Sequence, residues 1–259
     1  MMKVVILAGG YGTRIRDVTE HIPKPMIPVG PYPILWHIMK IYSRYGYKDF
    51  IVCLGYKGET IREFFLNYGQ YTRDLTVNLG DGEIMYHNQH NEVDWKITLV
   101  ETGLHSMTGS RISKIRNYIK DEPFMFTYGD GLSDINIDRL VSFHHSHGKI
   151  LTVTGVQPPG RFGEMLGEHD GLVSGFSEKP KSGSGGRVSG GFFVSNAEIF
   201  DYLEDDGSLV FEQQPMKNLV ADKELMMYQH NGFWQPMDTS KEYQALNALY
   251  EKGNPPWMG

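Results

Sequence analysis

The sequence predicts an α/β protein in which helices cover both faces of a doubly wound, mixed sheet. Val4–Ala8 is a continuous apolar, β-branched run, which is typical of a parallel strand buried on both faces. Strands then alternate with amphipathic helices through the first half of the chain. A glycine-rich turn follows the first strand directly, as in Rossmann-like sheets that bind ligands at that edge.

Each element of the first half follows from its own pattern. Pro33 suits the first turn of a helix that continues to about Tyr45, where Gly46 can end it. Further helices are predicted from apolar residues at helical spacing, and strands from short apolar runs. In chain order these are a strand at 50–54, a helix at 59–68, a strand at 97–100, a helix with Ile112, Ile115 and Ile119 on one face, and a strand at 124–127.

The second half is less regular. Apolar runs predict strands at 151–156, 172–176, 192–195 and 225–229, and a short helix at 197–203. Thr239 stands three residues before Glu242, the spacing of a capping box, so a helix should begin there. The polar region Asn67–Trp95 is predicted to be an insertion, most simply a surface hairpin. No linker or repeat interrupts the chain, which predicts a single domain over residues 1–259.

Composition limits the classes of function. The 259 residues include 25 basic and 31 acidic side chains, a net charge of −6, which argues against a surface that wraps nucleic acid. Cys53 is the only cysteine, so an internal disulfide or a cysteine zinc site is excluded, and a reducing, cytoplasmic location is expected. No apolar run is long enough to cross a bilayer, and no membrane partner is expected.

The first strand leads into Gly9-Gly10-Tyr11-Gly12-Thr13-Arg14. Without Cβ atoms, such a turn lets backbone N–H groups approach phosphate oxygens. It is not a P-loop, because Gly12 is not followed by Lys and Ser or Thr. It is not a dinucleotide fingerprint either, because Ile15 stands where the third glycine is needed.

Arg14 and Lys24 supply the positive charge that a bound triphosphate or a leaving pyrophosphate requires. Lys24 lies between Pro23 and Pro25, so its backbone is expected to be stiff and extended. Taken alone, the glycine loop could be a tight turn and Lys24 a surface lysine. The loop, Arg14 and the Pro-Lys-Pro segment together favour a phosphate site.

Asp130 and Asp238 are candidate metal ligands. Asp130 lies between two glycines after the strand at 124–127, at the edge where open α/β sheets bind ligands. Asp238 follows an aromatic run, just before the helix that begins at Thr239. Two aspartates brought together could hold one Mg²⁺, with water and phosphate oxygens completing its shell. Alternatively, Asp130 is a turn residue and Asp238 a neighbour of a helix cap.

Several motifs together resemble those of the sugar-1-phosphate nucleotidyltransferases. They are LAGGYGTRIRDVTEHIPKPMIPV, YGDG, PPGRFG, SEKPK, GGFFV and FWQPMDT, and they follow one another along nearly the whole chain. The segment SMTGSR at 106–111 is most similar to the cytidylyltransferase branch of that family. The resemblance implies the glycosyltransferase-A-like form of the fold, with a nucleotide-binding half at 1–131 and a sugar-binding half at 132–259.

The resemblance also implies a reaction, in which a cytidylyl group passes in line from CTP to α-D-glucose 1-phosphate and gives CDP-glucose and pyrophosphate. Mg²⁺ would be the cofactor, held by Asp130 and Asp238. A homo-oligomer and a role in supplying sugar nucleotides for polysaccharides are further implications. The same chemistry with dTTP, UTP or another phosphorylated acceptor stays open, as does a non-catalytic sugar-nucleotide sensor. Ile15 disfavours a dinucleotide-binding oxidoreductase.

Roles for individual residues follow from the same resemblance. The implied catalytic residues are Arg14, Lys24 and Lys179. The implied nucleotide contacts are Leu7, Ala8, Gly9, Gly10, Gly12, Thr13, Ser106, Thr108, Gly109, Arg111 and Gly129, with Arg111 bonding to or stacking on a pyrimidine. The implied sugar contacts are Gly163, Glu178, Lys179, Gly190, Gly191 and Trp234. Ser110 and Ser189 depart from the pattern of the branch, which has glycine and asparagine there.

Overall fold

Strands and helices alternate along the chain, and a computed structural model describes them over residues 2–12, 22–157, 164–167, 172–177, 186–204 and 206–259. The strands are β1 (Lys3–Leu7), β2 (Pro28–Val29), β3 (Tyr32–Pro33), β4 (Asp49–Leu54), β5 (Leu75–Val77), β6 (Ile84–Tyr86), β7 (Lys96–Glu101), β8 (Phe124–Tyr128), β9 (Gly131–Ser133), β10 (Leu151–Val156), β11 (Glu164–Gly167), β12 (Val173–Ser177), β13 (Val188–Ser195), β14 (Leu225–Gln229) and β15 (Trp234–Pro236). The α-helices are α1 (Ile34–Ser43), α2 (Gly58–Leu66), α3 (Tyr68–Thr72), α4 (Thr108–Lys114), α5 (Arg116–Ile119), α6 (Ile137–His147), α7 (Gln214–Ala221) and α8 (Ser240–Glu251). Short 3₁₀ helices lie at Lys24–Met26, Ala197–Tyr202 and Pro256–Met258.

Seven of the strands form one sheet in the order β14-β10-β13-β8-β1-β4-β7. β1 pairs in parallel with β4 and β8, and β4 pairs in parallel with β7. β13 runs antiparallel between β8 and β10, and β14 pairs in parallel with β10. The predicted fold class, an α/β protein with a mixed sheet, is therefore confirmed.

The core lies on both faces of this sheet. Side chains of β1 alternate, so that Val4 and Ile6 join one buried cluster while Val5 and Leu7 join the other. The first cluster is completed by helices α1, α6 and α8, and the second by α4, α5 and α7. Because both faces are covered, the buried positions Val4–Leu7 of β1 are all apolar, which explains why the sequence predicts this strand so clearly.

The other predicted elements are present, with differences at particular places. The helix expected around Ile112, Ile115 and Ile119 is interrupted at Ile115 (φ −96°, ψ 4°), although all three side chains are buried. The segment after β13 is a 3₁₀ helix, and β13 itself begins at Val188, earlier than expected. The sequence does not predict α7, because Pro215 and several polar residues obscure its apolar spacing.

The predicted insertion at Asn67–Trp95 contains α3 and the antiparallel pair β5 and β6, which confirms a surface hairpin. The turn between β5 and β6 exposes one large apolar side chain, Leu79, which is 94% exposed. Within the described residues, no helix is both long and apolar enough to cross a membrane.

His37 joins three parts of the fold in its neutral form. It lies on α1 with no exposed surface, its Nε2 is 2.8 Å from the Val29 carbonyl oxygen, and Trp257 Nε1 donates to its Nδ1 at 3.3 Å. This arrangement requires the proton on Nε2, because Nδ1 accepts. Burial lowers the pKa of His37 to about 4, against the smaller opposing effect of the hydrogen bond to Val29.

We predict that stability falls as the pH is lowered from about 6.5 to about 4, because His37 then binds a proton in the unfolded chain but not in the folded one. The contribution of this one group amounts to about 3 kcal/mol at full extent. His37→Gln, which keeps a donor and an acceptor, should flatten this part of a pH series of urea unfolding midpoints. His145→Gln, on an exposed face of α6, is the control. An unchanged pH slope in His37→Gln would contradict the assignment.

Candidate active site

A cavity of about 520 Å³ opens at the carboxyl edge of the sheet. It lies beside the ends of β1 and β8 and the start of β13, where the strand direction reverses. Ligands bind at such edges of open α/β sheets because the chain connections diverge there. Its lining residues are Leu7, Ala8, Gly9, Gly10, Tyr11, Gly12, Lys24, Pro25, Leu104, His105, Ser106, Met107, Thr108, Arg111, Tyr128, Gly129, Asp130, Ser189, Trp234, Pro236 and Asp238.

The charged centre of the cavity is Lys24, whose Nζ lies 2.5 Å from Asp130 Oδ2 and 2.5 Å from Asp238 Oδ1. Burial alone would lower the pKa of Lys24, but the two carboxylates outweigh it and the pKa is raised. The ammonium group therefore stays charged, and the two aspartates are held together around one cation. The three residues were predicted to act on the same substrate, and the structure brings them together.

The backbone at Lys24 differs from the prediction. The extended residue is Pro23 (φ −71°, ψ 149°), and Lys24 is the first residue of the 3₁₀ helix Lys24–Met26. Hydrogen bonds from Met26 N to Pro23 O (2.8 Å) and from Ile27 N to Lys24 O (3.1 Å) close this turn. The expectation of an extended Lys24 was wrong because proline restricts the residue before it but also suits the first turn of a helix.

The two aspartates reach Lys24 on paired strands. Asp130 lies between β8 and β9, and β9 pairs with β15, which leads into Asp238. Met237 N donates to Asp130 O at 2.9 Å, which fixes the two segments to each other. The capping box predicted at Thr239 is confirmed, and its Glu242 carboxylate also accepts from Asp238 N at 2.8 Å. Asp238 is thus a neighbour of a helix cap and also a residue of the site.

The glycine loop is shaped by contacts within the protein. Gly9 O accepts from Tyr56 N (3.1 Å) and from Arg111 Nη2 (2.9 Å). A Cβ on Gly9 would lie 2.2 Å from Arg111 Nη1, so no larger residue fits. Gly12 has a positive φ of 63°, and a Cβ there would lie 2.9 Å from Lys24 Cβ. Gly10, by contrast, is exposed and has open space around it, so its backbone is accessible from the cavity.

Arg111 lines the cavity, and its guanidinium group donates hydrogen bonds to three acceptors of the protein. The side chain is buried, and Nη1 donates to Leu54 O (2.8 Å) and to Thr102 Oγ1 (2.6 Å), in addition to the bond from Nη2 to Gly9 O. These acceptors stand at the ends of β4, β7 and β1. The guanidinium group therefore joins three strand ends, and the predicted contact of Arg111 with a pyrimidine stays a prediction.

The remaining predicted nucleotide residues divide between the cavity and the protein interior. Ser106 and Thr108 line the cavity, and Ser106 Oγ donates to Thr102 O at 2.6 Å. Gly109 is buried away from the lining, and its N donates to Leu209 O at 2.9 Å. Its N–H group therefore bonds within the protein, and the contact of Gly109 with a nucleotide stays a prediction.

On the predicted sugar side, Trp234 lines the cavity and Nε1 donates to Gly190 O at 2.7 Å. Gly190 and Gly191 lie behind the lining: a Cβ on Gly191 (φ 79°) would lie 2.6 Å from Tyr128 Cδ2. Ser189, where the sequence departs from the resembling branch, does face the cavity. The two glycines therefore contact Trp234 and Tyr128, while Ser189 is the half-buried residue of this strand end that lines the cavity.

Sequence reasoning missed several lining residues. Tyr11 OH lies 2.9 Å from His105 Nδ1, and Leu104 and Met107 are each 46% exposed, which is high for aliphatic side chains. Tyr11 and Tyr128 stand within motifs that the sequence did single out, so their position was the available signal. Met107 likewise lies within the singled-out segment at 106–111, whereas nothing in the sequence pattern distinguishes Leu104 and His105 from residues of an ordinary loop.

Some predicted residues lie outside the described part of the chain, and they stay predictions. They are Thr13 and Arg14 of the glycine loop, and Gly163, Glu178 and Lys179 of the predicted sugar side.

Comparisons with known proteins agree with this geometry. The model of the family described as Nucleotidyl transferase matches residues 3–253. The chain is 48% identical over 257 residues to the glucose-1-phosphate cytidylyltransferase of Salmonella typhimurium, with 99% of this chain and 98% of that protein covered. It is 47% identical over 256 residues to the probable glucose-1-phosphate cytidylyltransferase of Bacillus subtilis, with 99% of each protein covered.

Among solved structures, a putative glucose-1-phosphate thymidylyltransferase from Bacillus anthracis has a TM-score of 0.77 and 20% identity, with 96% of this chain and 95% of that one covered. This likeness shows the fold. Since the family model spans nearly the whole chain and full-length relatives are close to half identical, the chain belongs to the nucleotidyl transferase family.

Proposed function

We propose that this protein transfers a cytidylyl group from CTP to α-D-glucose 1-phosphate, giving CDP-glucose and pyrophosphate. The observation that carries the proposal is the contact of Lys24 with Asp130 and Asp238 inside a cavity lined by the glycine loop. Full-length relatives that bear the name glucose-1-phosphate cytidylyltransferase support the choice of substrates. We also propose that residues 1–259 act as one nucleotidyltransferase domain.

The reaction needs positioned charge more than it needs acid–base groups. An oxygen of the sugar phosphate attacks the α-phosphorus of CTP, and the bond from that phosphorus to the β-phosphate oxygen breaks, so that pyrophosphate leaves. A phosphate dianion is already a nucleophile, and no proton has to be removed from it. Lys24 would stabilise the negative charge that grows on the leaving pyrophosphate. By resemblance, Arg14 would act with Lys24 and Lys179 would orient the nucleophile.

The residues at the site fit Mg²⁺. Asp130 and Asp238 already share one cation, the Lys24 ammonium group, so the two carboxylates face a common point. Both carboxylates retain some exposure, 32% and 18%, and oxygen ligands are those that Mg²⁺ prefers. When bound, Mg²⁺ would neutralise phosphate charge. We propose Asp130 and Asp238 as its protein ligands.

We further propose that the protein is a homo-oligomer and works in the cytoplasm. Exposed apolar side chains concentrate within residues 66–93, among them Leu66, Leu79, Met85 and Val93. A concentration of this kind favours a contact between protein surfaces. The single cysteine, Cys53, is buried, and a chain with one unpaired cysteine suits a reducing compartment.

Removing a charge from the cluster of Lys24, Asp130 and Asp238 should strongly reduce turnover. We predict that Lys24→Ala and Asp130→Asn each lower kcat by roughly 10²–10³-fold, because Lys24 would stabilise the charge that grows on pyrophosphate and Asp130 would hold the Mg²⁺ that neutralises phosphate charge. Steady-state pyrophosphate release measures the effect, and thermal unfolding checks that the variants fold. Lys48→Ala is the matched control, since Lys48 makes a surface ion pair with Asp94 at the same 2.5 Å distance. A folded Lys24→Ala protein with wild-type turnover would refute the mechanism.

The choice of substrates has its own test. Incubation with glucose 1-phosphate and each of the four NTPs, with and without Mg²⁺, should release pyrophosphate with CTP and only when Mg²⁺ is present. Pyrophosphate release with dTTP or UTP but not with CTP would overturn the assignment of CTP. Release in the presence of a chelator would overturn the requirement for Mg²⁺. No release with any NTP and any sugar 1-phosphate would favour a non-catalytic sensor.

The oligomer proposal predicts a mass larger than one chain in sedimentation equilibrium. Leu79→Lys combined with Met85→Lys should lower that mass, because charged side chains would have to be buried at the contact. Tyr118→Lys, at an exposed aromatic residue outside this segment, serves as the comparison. A single-chain mass for the wild-type protein would reject the proposal.

A further inference from the structure

Glu212 links two walls of the cavity without itself lining it. Its Oε2 accepts from Thr108 Oγ1 at 2.7 Å, and its Oε1 accepts from the Tyr128 hydroxyl group. Thr108 begins α4 and Tyr128 ends β8, and both line the cavity. The Glu212 carboxylate therefore connects the start of α4 to the end of β8. No motif in the sequence marks Glu212.

The hydrogen bonds fix the polarity of both hydroxyl groups. Thr108 Oγ1 accepts from Phe211 N at 2.9 Å and donates its proton to Glu212. Tyr128 also donates its proton to Glu212. A hydroxyl group has one proton to donate, so each of these two oxygens can only accept from a ligand. This part of the cavity wall thus favours a ligand group that donates.

The segment that carries Glu212 is itself fastened to the start of α4. Met107 N donates to Gly207 O at 3.0 Å, and Gly109 N and Ser110 N donate to Leu209 O at 2.9 and 3.2 Å. These bonds use N–H groups that a helix start leaves without partners of its own. The carboxylate is consequently held in place by backbone contacts that do not depend on a substrate.

We propose that Glu212 is a positioning residue that keeps Thr108 and Tyr128 as acceptors and so selects a hydrogen-bond donor on the substrate. This inference rests on the proposed function. Two groups of the proposed substrates have that chemistry: the exocyclic amine of cytosine, where uracil has a carbonyl oxygen, and the hydroxyl groups of glucose 1-phosphate. A carbonyl oxygen at the same place would face lone pairs and would be rejected.

Glu212→Gln tests the proposal with little change in shape. An amide has one accepting oxygen and one donating nitrogen, so one of the two hydroxyl groups must turn and donate into the cavity. We expect kcat/KM with CTP and glucose 1-phosphate to fall about tenfold, the upper end of the range for loss of one neutral hydrogen bond. A lower ratio of CTP to UTP turnover would identify the cytosine amine as the donor. A raised KM for glucose 1-phosphate with an unchanged ratio would identify the sugar.

Asp222→Asn is the matched control, because Asp222 accepts from the Tyr202 hydroxyl group at 2.8 Å outside this cavity. It should leave all kinetic constants unchanged. Thr108→Val and Tyr128→Phe each remove one of the paired hydroxyl groups, and at least one should reproduce the altered constant. Thermal unfolding of every variant separates a change in the site from a loss of folded protein.

Binding measurements distinguish a failure of the role proposed for Glu212 from a failure of the proposed reaction. Calorimetric titration with CTP, UTP and glucose 1-phosphate reports on Glu212 even if no turnover occurs. Unchanged kinetic constants, nucleotide ratio and affinities in folded Glu212→Gln protein would overturn the role of Glu212. A wild-type protein that binds these ligands but releases no pyrophosphate would instead reject the proposed reaction. Binding of none of them would reject both.

Discussion

The interaction on which the site depends is the contact of one ammonium group, Lys24, with two carboxylates, Asp130 and Asp238. Two carboxylates in a partly buried space repel each other and lose hydration, and a shared cation offsets both costs. The lysine stands 106 residues from one aspartate and 214 from the other, so only the folded sheet brings them together. The pairing of β9 with β15 and the capping box before α8 hold the more distant aspartate in place. A site that already gathers charge around one cation is suited to substrates that carry several phosphate groups.

The cavity has a second buried cation, the guanidinium group of Arg111. Arg111 joins the ends of β1, β4 and β7, and a buried guanidinium group is tolerable only when acceptors surround it. Gly9 and Gly55 leave the space for it, since a Cβ on either would lie within 2.6 Å of Arg111 Nη1. Part of the glycine loop therefore makes room for the protein's own cation, and Gly10 is the part that stays open to the cavity. Arg111 thus fixes Gly9, while the backbone of the adjacent Gly10 stays accessible from the cavity.

The sequence predicted correctly those features that depend on neighbours within a few residues, and it missed features that depend on distant segments. The apolar run of β1 and the Thr239 capping box depend on neighbours within a few residues, and both predictions are confirmed. The break at Ile115 and the 3₁₀ turn at Lys24 are set by packing, and spacing alone could not reveal them. Gly109 was expected to face a nucleotide, but Leu209, a hundred positions away, accepts its N–H group. Thr13, Arg14, Glu178 and Lys179 stay predictions from resemblance.

The order of residues was enough to predict the α/β class, which the structure confirms, and to single out Lys24, Asp130 and Asp238, which the folded chain brings together at the carboxyl edge of the sheet. These follow from hydrophobic period, turn chemistry and charge, which short stretches of chain express by themselves. Only the tertiary structure decided that Arg111 joins the ends of three strands, that Gly190 and Gly191 stand behind Trp234 and Tyr128, and that Glu212 bonds to two residues of the cavity lining. The reason is physical: a hydrogen bond consumes a particular proton or lone pair, and which partner consumes it depends on which segments of the folded chain lie side by side.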